Sequence, residues 1–192
     1  MEEIIRSISD QELLRQIERV VPFHGYLSTG AFVGIQIYNI AKGALGFSED
    51  ERLFVTCETF SCMPDAFQVL GGCTIGNKGL RIEDFGKMAA TISRRAPKGA
   101  TRVEGVRVVL DPAKTATYPR LHSWYMNLEK VPHEEAIRDL IRAGDRVYTW
   151  EMVEVEVAEK PKKRIAICES CGDSFVLRKD ERRCRSCAER SS

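Results

Sequence analysis

Four cysteines near the C-terminus constrain the fold of this chain more than any other feature. They follow the pattern Cys168-x2-Cys171-x12-Cys184-x2-Cys187. Zn²⁺ takes four thiolates in a tetrahedron, and a CxxC turn presents two of them, with Gly172 permitting the first turn. The segment between the two pairs, DSFVLRKDERR, has too little apolar surface to fold unaided. We therefore predict a structural zinc module in which all four cysteines are ligands.

Other uses of these cysteines fit less well. A thioredoxin-like redox pair lacks its surrounding βαβ pattern, and disulfides suit an oxidising compartment. The chain has no apolar run of about eighteen residues or more, and its N-terminus is amphipathic and acidic, unlike an export signal. Seven cysteines in such a chain indicate a reducing compartment. We expect a cytoplasmic protein with no membrane association.

Charge separates the tail from the rest of the chain. From Lys160 onward ten Lys and Arg face five Asp and Glu, a net charge of +5, so the remainder of this +1 chain carries −4. The boundary follows a segment in which valines alternate with glutamates, and it contains a Pro-Lys-Lys-Arg hinge. We predict a core domain over 1–158, a linker over 159–165 and a zinc-ribbon or treble-clef-like domain over 166–192.

The basic surplus of the tail bears on its partners. A basic zinc module can hold nucleic acid or an acidic protein. Proteins that bind single strands interleave aromatic side chains with their cations, and Phe175 is the lone aromatic residue between the two cysteine pairs. A module that is simply solvated, or that docks onto a protein, is therefore favoured over a module that binds nucleic acid.

The core domain has the pattern of an α+β fold. Ser9 and Glu12 form a capping box ahead of an amphipathic helix that Pro22 is expected to end. A second, largely buried helix begins near Ser28 and runs to Gly46. Further helices are predicted in DAFQVLGG and HEEAIRDLIRAGD, and strands in RLFVTCE, KMAATISRR, TRVEGVRVVLD and RVYTWEMVEVEV. This order predicts N-terminal helices packed on a mixed or antiparallel sheet.

Several core residues could form a site. Cys57 lies on the apolar side of its strand and is predicted to be packing, whereas Cys62 precedes a short helix whose free N–H groups favour a thiolate. His24 can supply a neutral imidazole, Asp65 a carboxylate and Lys78 a contact for an anion. Each has a structural alternative, since Asp65 can simply cap its helix and Lys78 can simply be solvated.

The order of these segments resembles the E-subunit family of formylmethanofuran dehydrogenase. Members carry a Phe-His-Gly-His-x-Cys-Pro-Gly type motif, then a cysteine and Asp-Ala-x-Gln-Val-Leu-x-Gly-Cys-Thr-x-Gly, and some add a C-terminal zinc module. The second motif is matched by Cys62 and, almost letter for letter, by residues 65–76. The resemblance covers nearly the whole chain, and it implies that His24, Cys62, Gln68 and Cys73 line one metal- or ligand-binding cleft.

The first motif is matched only in part. Phe23, His24 and Gly25 are present, but Tyr26 stands at the second histidine and Ser28 at the cysteine. Tyrosine and serine are poor ligands for transition metals. We therefore expect a second metal, at the core site, to be held weakly or to be absent from purified protein.

Two hypotheses of different class follow. In the first, the resemblance implies a metal- or ligand-binding homodimer associated with a molybdenum- or tungsten-dependent one-carbon oxidoreductase. The glycine-spaced second helix and the Trp124–Tyr125 patch are then candidate dimer surfaces. In the second, the chain is a non-catalytic regulator or adaptor whose zinc module binds nucleic acid or a protein. Whether the chain is catalytic stays open, with His24, Cys62 and Asp65 as the candidates.

Overall fold

Helices packed on a five-stranded sheet form the first of two units into which the chain divides, residues 1–157 and 158–192. The computed structural model describes residues 4–5, 8–157, 163–177 and 181–190. The first unit contains, in chain order, α1 (Gln11–His24), α2 (Thr29–Leu45), β1 (Leu53–Cys57), α3 (Pro64–Leu70), β2 (Leu80–Ile82), β3 (Ala89–Arg94), β4 (Arg102–Leu110), α4 (Pro112–Thr115), α5 (Pro119–Tyr125), α6 (His133–Ala143), a 3-10 turn (Gly144–Val147) and β5 (Tyr148–Glu156).

The sheet has the strand order β2-β1-β3-β4-β5. It is mixed, because β1 and β2 are parallel while the other neighbours are antiparallel. One face carries the core: Val55, Ile92 and Val106 lie in register on adjacent strands and are buried. Cys57 is buried on the same face, as predicted, and its thiol donates to the Thr59 carbonyl at 3.4 Å. The predicted α+β class is confirmed.

The first helix differs from its prediction at both ends. Its N-cap is Asp10, not Ser9, because the Asp10 carboxylate accepts the backbone N–H groups of the first turn. The helix also continues through Pro22 to His24 and ends at Gly25, whose φ is +99°. A proline in the last turn removes one N–H donor without stopping the helix. The two extra residues place His24 on the helix instead of on a loop.

The second helix is buried and makes its close contacts inside the chain. A Cβ on Gly34 would collide with the Met63 carbonyl oxygen and lie 2.8 Å from the Cβ of Ala66. The glycine at position 34 thus allows α2 to approach the start of α3 within the same chain. Trp124 and Tyr125 are likewise half-buried, and the Tyr125 hydroxyl donates to the Leu110 carbonyl. Both surfaces predicted for dimer contacts are thus largely used within one chain.

The second unit is small. Its elements are β6 (Arg164–Ile167), β7 (Ser174–Leu177) and α7 (Arg185–Glu189), and the two strands pair antiparallel. Residue 158 and residues 159–162 of the predicted linker lie outside the described part of the chain. β6 begins at Arg164, so a strand occupies the last residues of the predicted 159–165 linker. Across the described residues of both units, no helix is long and apolar enough to span a bilayer.

Candidate functional site

Three helix ends meet at one point of the first unit. α1 ends at His24, α2 begins at Thr29, and α3 begins at Pro64, two residues after Cys62. Close packing joins two of these ends, because a Cβ on Gly30 would lie 3.2 Å from the Cβ of Cys62. The third end is joined by a side-chain pair between His24 and α3. The histidine and the cysteine predicted from sequence are therefore held at one helical junction.

The pair that joins α1 to α3 is His24 with Asp65. His24 Nδ1 lies 2.6 Å from Asp65 Oδ2, and the two side chains are only 12% and 24% exposed. Gln68 supports the carboxylate from the next turn, because its Nε2 donates to Asp65 Oδ1 at 3.2 Å. Since a carboxylate accepts, the proton of a neutral His24 ring sits on Nδ1 and the lone pair on Nε2. This carboxylate–histidine arrangement is the one that orients histidine ligands in metal sites.

His24 Nε2 is the atom that the fold leaves unsatisfied. It is buried, and it is the one buried side-chain nitrogen or oxygen in the described residues for which no hydrogen-bond partner is found. A buried polar atom without a partner costs about 1–3 kcal/mol. The Asp65 contact thus fixes the ring, and the lone pair of the buried Nε2 is available to a ligand atom or a metal ion.

The ring of Tyr26 contacts the rings of both His24 and His133. The Tyr26 ring lies 5.0 Å from the His24 ring and 5.7 Å from the His133 ring, between centroids. The backbone N–H of Thr29 donates to His133 Nδ1, and the Thr29 hydroxyl lies 2.8 Å from the same nitrogen. His133 is not among the site residues predicted from sequence, and α6 places it against Thr29, the first residue of α2. Nothing local in the sequence signals a contact across that separation.

Cys62 and Cys73 have different environments. Cys62 is half-buried beside Gly30, whereas Cys73 is buried and its thiol donates to the carbonyls of Leu53 and Gly71. Burial raises the pKa of Cys73 to about 11, which keeps it protonated at neutral pH. In the described part of the chain, neither cysteine forms with His24 a group of three metal-ligand atoms. Cys73 thus has a packing role in the fold, and its place in a common site with His24 and Cys62 stays a prediction.

Two further residues find structural roles. Ser28, at the position of the family cysteine, is fully buried and caps α2 by accepting the Ala31 N–H at 3.1 Å. Lys78 has a left-handed φ of +61° and lines an exposed groove of about 550 Å³ beside β2. Neither His24 nor Cys62 lines that groove. The anion contact predicted for Lys78 is therefore not placed at the helical junction.

The four cysteines of the second unit do come together. The Sγ atoms of Cys168, Cys171, Cys184 and Cys187 all lie within 4.8 Å of one another, and those of Cys171 and Cys184 are 3.9 Å apart. Four thiolates about 2.3 Å from a central zinc in a tetrahedron are about 3.8 Å from one another. The measured spacing fits that geometry. Gly172, with φ +76°, makes the tight turn after the first pair.

Backbone donors prepare one thiol of this cluster for metal binding. The Cys184 N–H lies 3.3 Å from Cys168 Sγ. Hydrogen bonds from the backbone N–H groups of Cys184 and then Cys171 lower the pKa of Cys168 to about 6. The thiolate, which is the form that binds metal, is therefore favoured at neutral pH.

The fold and these two sites define an α+β domain with a candidate site at its helical junction, followed by a module whose four clustered cysteines could hold a metal ion. The family described as FmdE, molybdenum formylmethanofuran dehydrogenase operon, matches residues 23–156. The chain belongs to this family. The match begins one residue before His24 and includes Tyr26, Cys62, Asp65 and His133.

Two known proteins resemble the chain over most of its length. One is the crystal structure of a tungsten formylmethanofuran dehydrogenase FmdE-like protein from Syntrophus aciditrophicus, 28% identical, with a TM-score of 0.75 over 97% of this chain and 96% of that one. The other is a probable S-adenosyl-L-methionine-binding protein from Archaeoglobus fulgidus, 29% identical over 200 residues. That alignment covers 92% of this chain, which spans about half (53%) of the length of the archaeal protein.

Proposed function

We propose that this chain is an accessory, ligand-binding protein of molybdenum- or tungsten-dependent formylmethanofuran dehydrogenase chemistry. Family membership supports the association with that one-carbon oxidoreductase. The core unit binds a small ligand or a weakly held metal ion at the helical junction, and the second unit is stabilised by structural zinc. No catalytic step is assigned, because fold alone is weak support for an activity.

One observation carries the core part of the proposal. His24 Nε2 is buried without a partner, while Nδ1 of the same ring is fixed by Asp65 at 2.6 Å. Asp65 therefore fixes the orientation of the His24 ring, and burial shields Nε2 from competing water. Cys62 is the nearby soft ligand, and Tyr26 replaces a metal-binding residue of the family motif. This donor set favours a ligand that the protein can release.

Metal protection of Cys62 tests the core site. The full chain, with its C-terminal module already loaded with zinc, is treated with iodoacetamide in the presence and absence of added Zn²⁺, and each cysteine is followed by mass spectrometry. We expect added zinc to slow alkylation of Cys62, and His24→Gln to remove this protection.

His122→Gln is the matched control, because His122 Nδ1 lies 3.0 Å from the Thr115 hydroxyl and His122 is not part of the junction. That variant should keep the protection. Alkylation of Cys62 at the same rate with and without zinc in the unmodified protein would contradict the core site.

Zinc in the second unit is tested separately. We expect purified protein to hold one tightly bound zinc ion and Cys184→Ser to release it, since three thiolates and a hydroxyl bind zinc less well. The thermal transition of the core should change little. Elemental analysis that finds no zinc in protein prepared without chelator would contradict this part.

The second unit also has a feature that favours a protein partner over nucleic acid. Ile165, Ile167 and Val176 are 62%, 64% and 43% exposed on the two-stranded sheet. Such a surface suits an adaptor role beside the ligand-binding role. Binding of the purified formylmethanofuran dehydrogenase to the full chain, weakened in Ile165→Ser, is the expected result. Equal binding by both forms would remove the adaptor role.

A further inference from the structure

An open, largely apolar groove lies beside β2, at the edge of the core sheet opposite to β5. Its volume is about 550 Å³, and most of its lining is apolar, namely Phe60, Ile75, Leu80 and Ile82. Phe60 and Ile75 are 77% and 63% exposed. Single exposed apolar residues are ordinary on a protein surface, but several that share one groove mark an interaction site. We call this surface the β2 groove.

Hydrogen bonds hold the two loops that border the β2 groove in place. In the first loop, Asp84 Oδ1 accepts the backbone N–H of Phe60 at 3.2 Å. In the second, Asn77 Oδ1 accepts the backbone N–H groups of Thr74 and Gly79 at 3.0 and 2.8 Å. The groove is therefore preformed, and a partner that binds it orders few additional groups of this chain.

The backbone of β2 is open on the side of the groove, because β1 is the sole neighbour of β2 among the described strands. Val55 N donates to Gly79 O at 2.7 Å. Glu83 N donates to Cys57 O at 2.9 Å. The odd-numbered residues of this segment thus bond to β1, and Ile82 directs its N–H and C=O groups outward. An exposed sheet edge of this kind accepts an extended segment as an additional strand.

The side chains of β2 differ between the two faces of the sheet. Leu80 and Ile82 lie in register with Val55 and Cys57, which are buried on the core face. Arg81 therefore projects from the opposite face, where its side chain is 70% exposed. A strand added at this edge places alternate side chains beside Leu80 and Ile82 on one face and beside Arg81 on the other.

Cations border the β2 groove, although the chain before Lys160 carries a net charge of −4. Lys78 lines the groove, and no ion pair of Lys78 is found among the described residues. Arg81 lies 2.7 Å from Glu83 in an exposed pair, a kind that contributes little. Asp84 also lines the groove, but backbone N–H groups already occupy one of its carboxylate oxygens. Acidic side chains on a partner complement this surface.

We propose that the β2 groove binds an extended segment of another protein in which apolar residues alternate with acidic ones. The segment pairs with the outward N–H and C=O groups of Ile82 and lengthens the core sheet by one strand. Its apolar side chains cover Phe60 and Ile75. Its acidic side chains lie on the face of Arg81.

Other kinds of occupant fit this groove less well. Small molecules bind in concave sites that bury most of their surface, whereas more than half of Phe60 and of Ile75 is open to solvent. Single-stranded nucleic acid stacks its bases on aromatic side chains, and Phe60 is the lone aromatic residue in the lining. The aliphatic lining and the open strand edge therefore favour a protein segment.

Fluorescence polarisation of a labelled synthetic peptide with the full chain tests the groove. The probe alternates leucine with aspartate, and a second peptide carries lysine in place of aspartate. We expect the aspartate peptide to bind and the lysine peptide to bind at least about tenfold more weakly, because like charges repel. Absence of binding by the aspartate peptide, or equal binding of the two peptides, would overturn the proposal.

Phe60→Ser locates the binding on the protein. The variant should weaken binding of the aspartate peptide about tenfold, because the apolar contact of the phenyl ring is lost. Leu128→Ser is the matched control, since Leu128 is 67% exposed and does not line the groove. That variant should bind as the unmodified chain does. Equal affinities of the Phe60→Ser and Leu128→Ser variants would contradict the proposed location.

Backbone methylation of the peptide tests strand pairing without altering the protein. One peptide carries N-methyl groups on its leucines and another carries them on its aspartates, so each blocks the amides of one edge of the added strand. The peptide methylated on the edge that faces β2 should bind at least about tenfold more weakly than the other. Equal affinities of the two methylated peptides would rule out pairing at this edge.

Competition and mass measurements identify the other occupants. Displacement of the aspartate peptide by an equal concentration of a single-stranded oligonucleotide would assign the groove to nucleic acid. A different mass of Phe60→Ser in light scattering would assign it to a contact between copies of the chain. Either result would overturn the proposal, and we expect neither.

Discussion

Replacing Gly34 by alanine tests the close packing that builds the helical junction. The new methyl group would collide with the Met63 carbonyl oxygen and lie 2.8 Å from the Cβ of Ala66, whereas carbon atoms normally approach to about 3.5–4.0 Å. Relief requires α2 and α3 to separate within a close-packed core, and overpacking of this kind costs about 3 kcal/mol. Alanine regains about 1 kcal/mol of helix propensity. The net expectation is a loss of about 2 kcal/mol of unfolding free energy.

Gly43→Ala is the matched control in the same helix. A Cβ at Gly43 meets no atom within 4 Å, so the propensity term acts alone and the variant should gain about 1 kcal/mol. Urea unfolding followed by circular dichroism should separate the two variants by about 3 kcal/mol, with melting temperatures about 6–12 °C apart. Equal stability of Gly34→Ala and Gly43→Ala would refute the close approach of α2 to α3.

Two further outcomes follow from buried groups. Arg107 donates two hydrogen bonds, of 2.6 and 2.9 Å, to the Glu58 carboxylate. Arg107→Met should lower the free energy of unfolding by about 2 kcal/mol, less than the roughly 3–5 kcal/mol for a fully buried pair, because Arg107 is 27% exposed. Unchanged stability in urea unfolding would contradict this. Burial raises the pKa values of Cys57 and Cys73 from 9.0 to about 11. Both thiols stabilise the fold only while protonated, so unfolding free energy should fall as pH rises from 9 towards 11, and a flat profile would be inconsistent with their burial.

Most of the fold follows from local pattern. The buried helix α2, the strands β1, β3, β4 and β5 and the helix α6 all have the apolar periodicity that the structure confirms. The three-residue strand β2 and the short helices α4 and α5 escaped prediction, because runs so short have no measurable period. The start of α1 was misplaced by one residue because serine and aspartate both make good N-caps.

The candidate site was predictable only where its residues share a motif. His24, Cys62 and Asp65 were found from the sequence, and the structure brings them to one junction. Cys73 follows α3 closely in sequence, yet its thiol turns to the carbonyls of Leu53 and Gly71. His133 reaches the site from a distant helix. Side-chain direction and contacts between distant segments are set by tertiary packing, which spacing in one sequence does not encode.

The cluster of four cysteines in the tail, in contrast, was predictable from the sequence. Their spacing alone predicted a cluster, and the structure places all four sulfurs within 4.8 Å of one another. The prediction succeeded because a CxxC turn fixes the relative positions of its two thiols locally, so that only one long-range contact had to be inferred.

The central claim, that His24 Nε2 receives the ligand of the core site, is tested most directly by nitrogen NMR of the histidine side chains. The chain has three histidines, so each ring can be assigned from one variant of each. With the C-terminal module already loaded with zinc, Zn²⁺ is added as the probe. We predict that the Nε2 resonance of His24 shifts while that of His122 stays in place, and that Asp65→Asn reduces the shift. An unchanged His24 resonance at saturating zinc, or an equal shift at His122, would contradict the account.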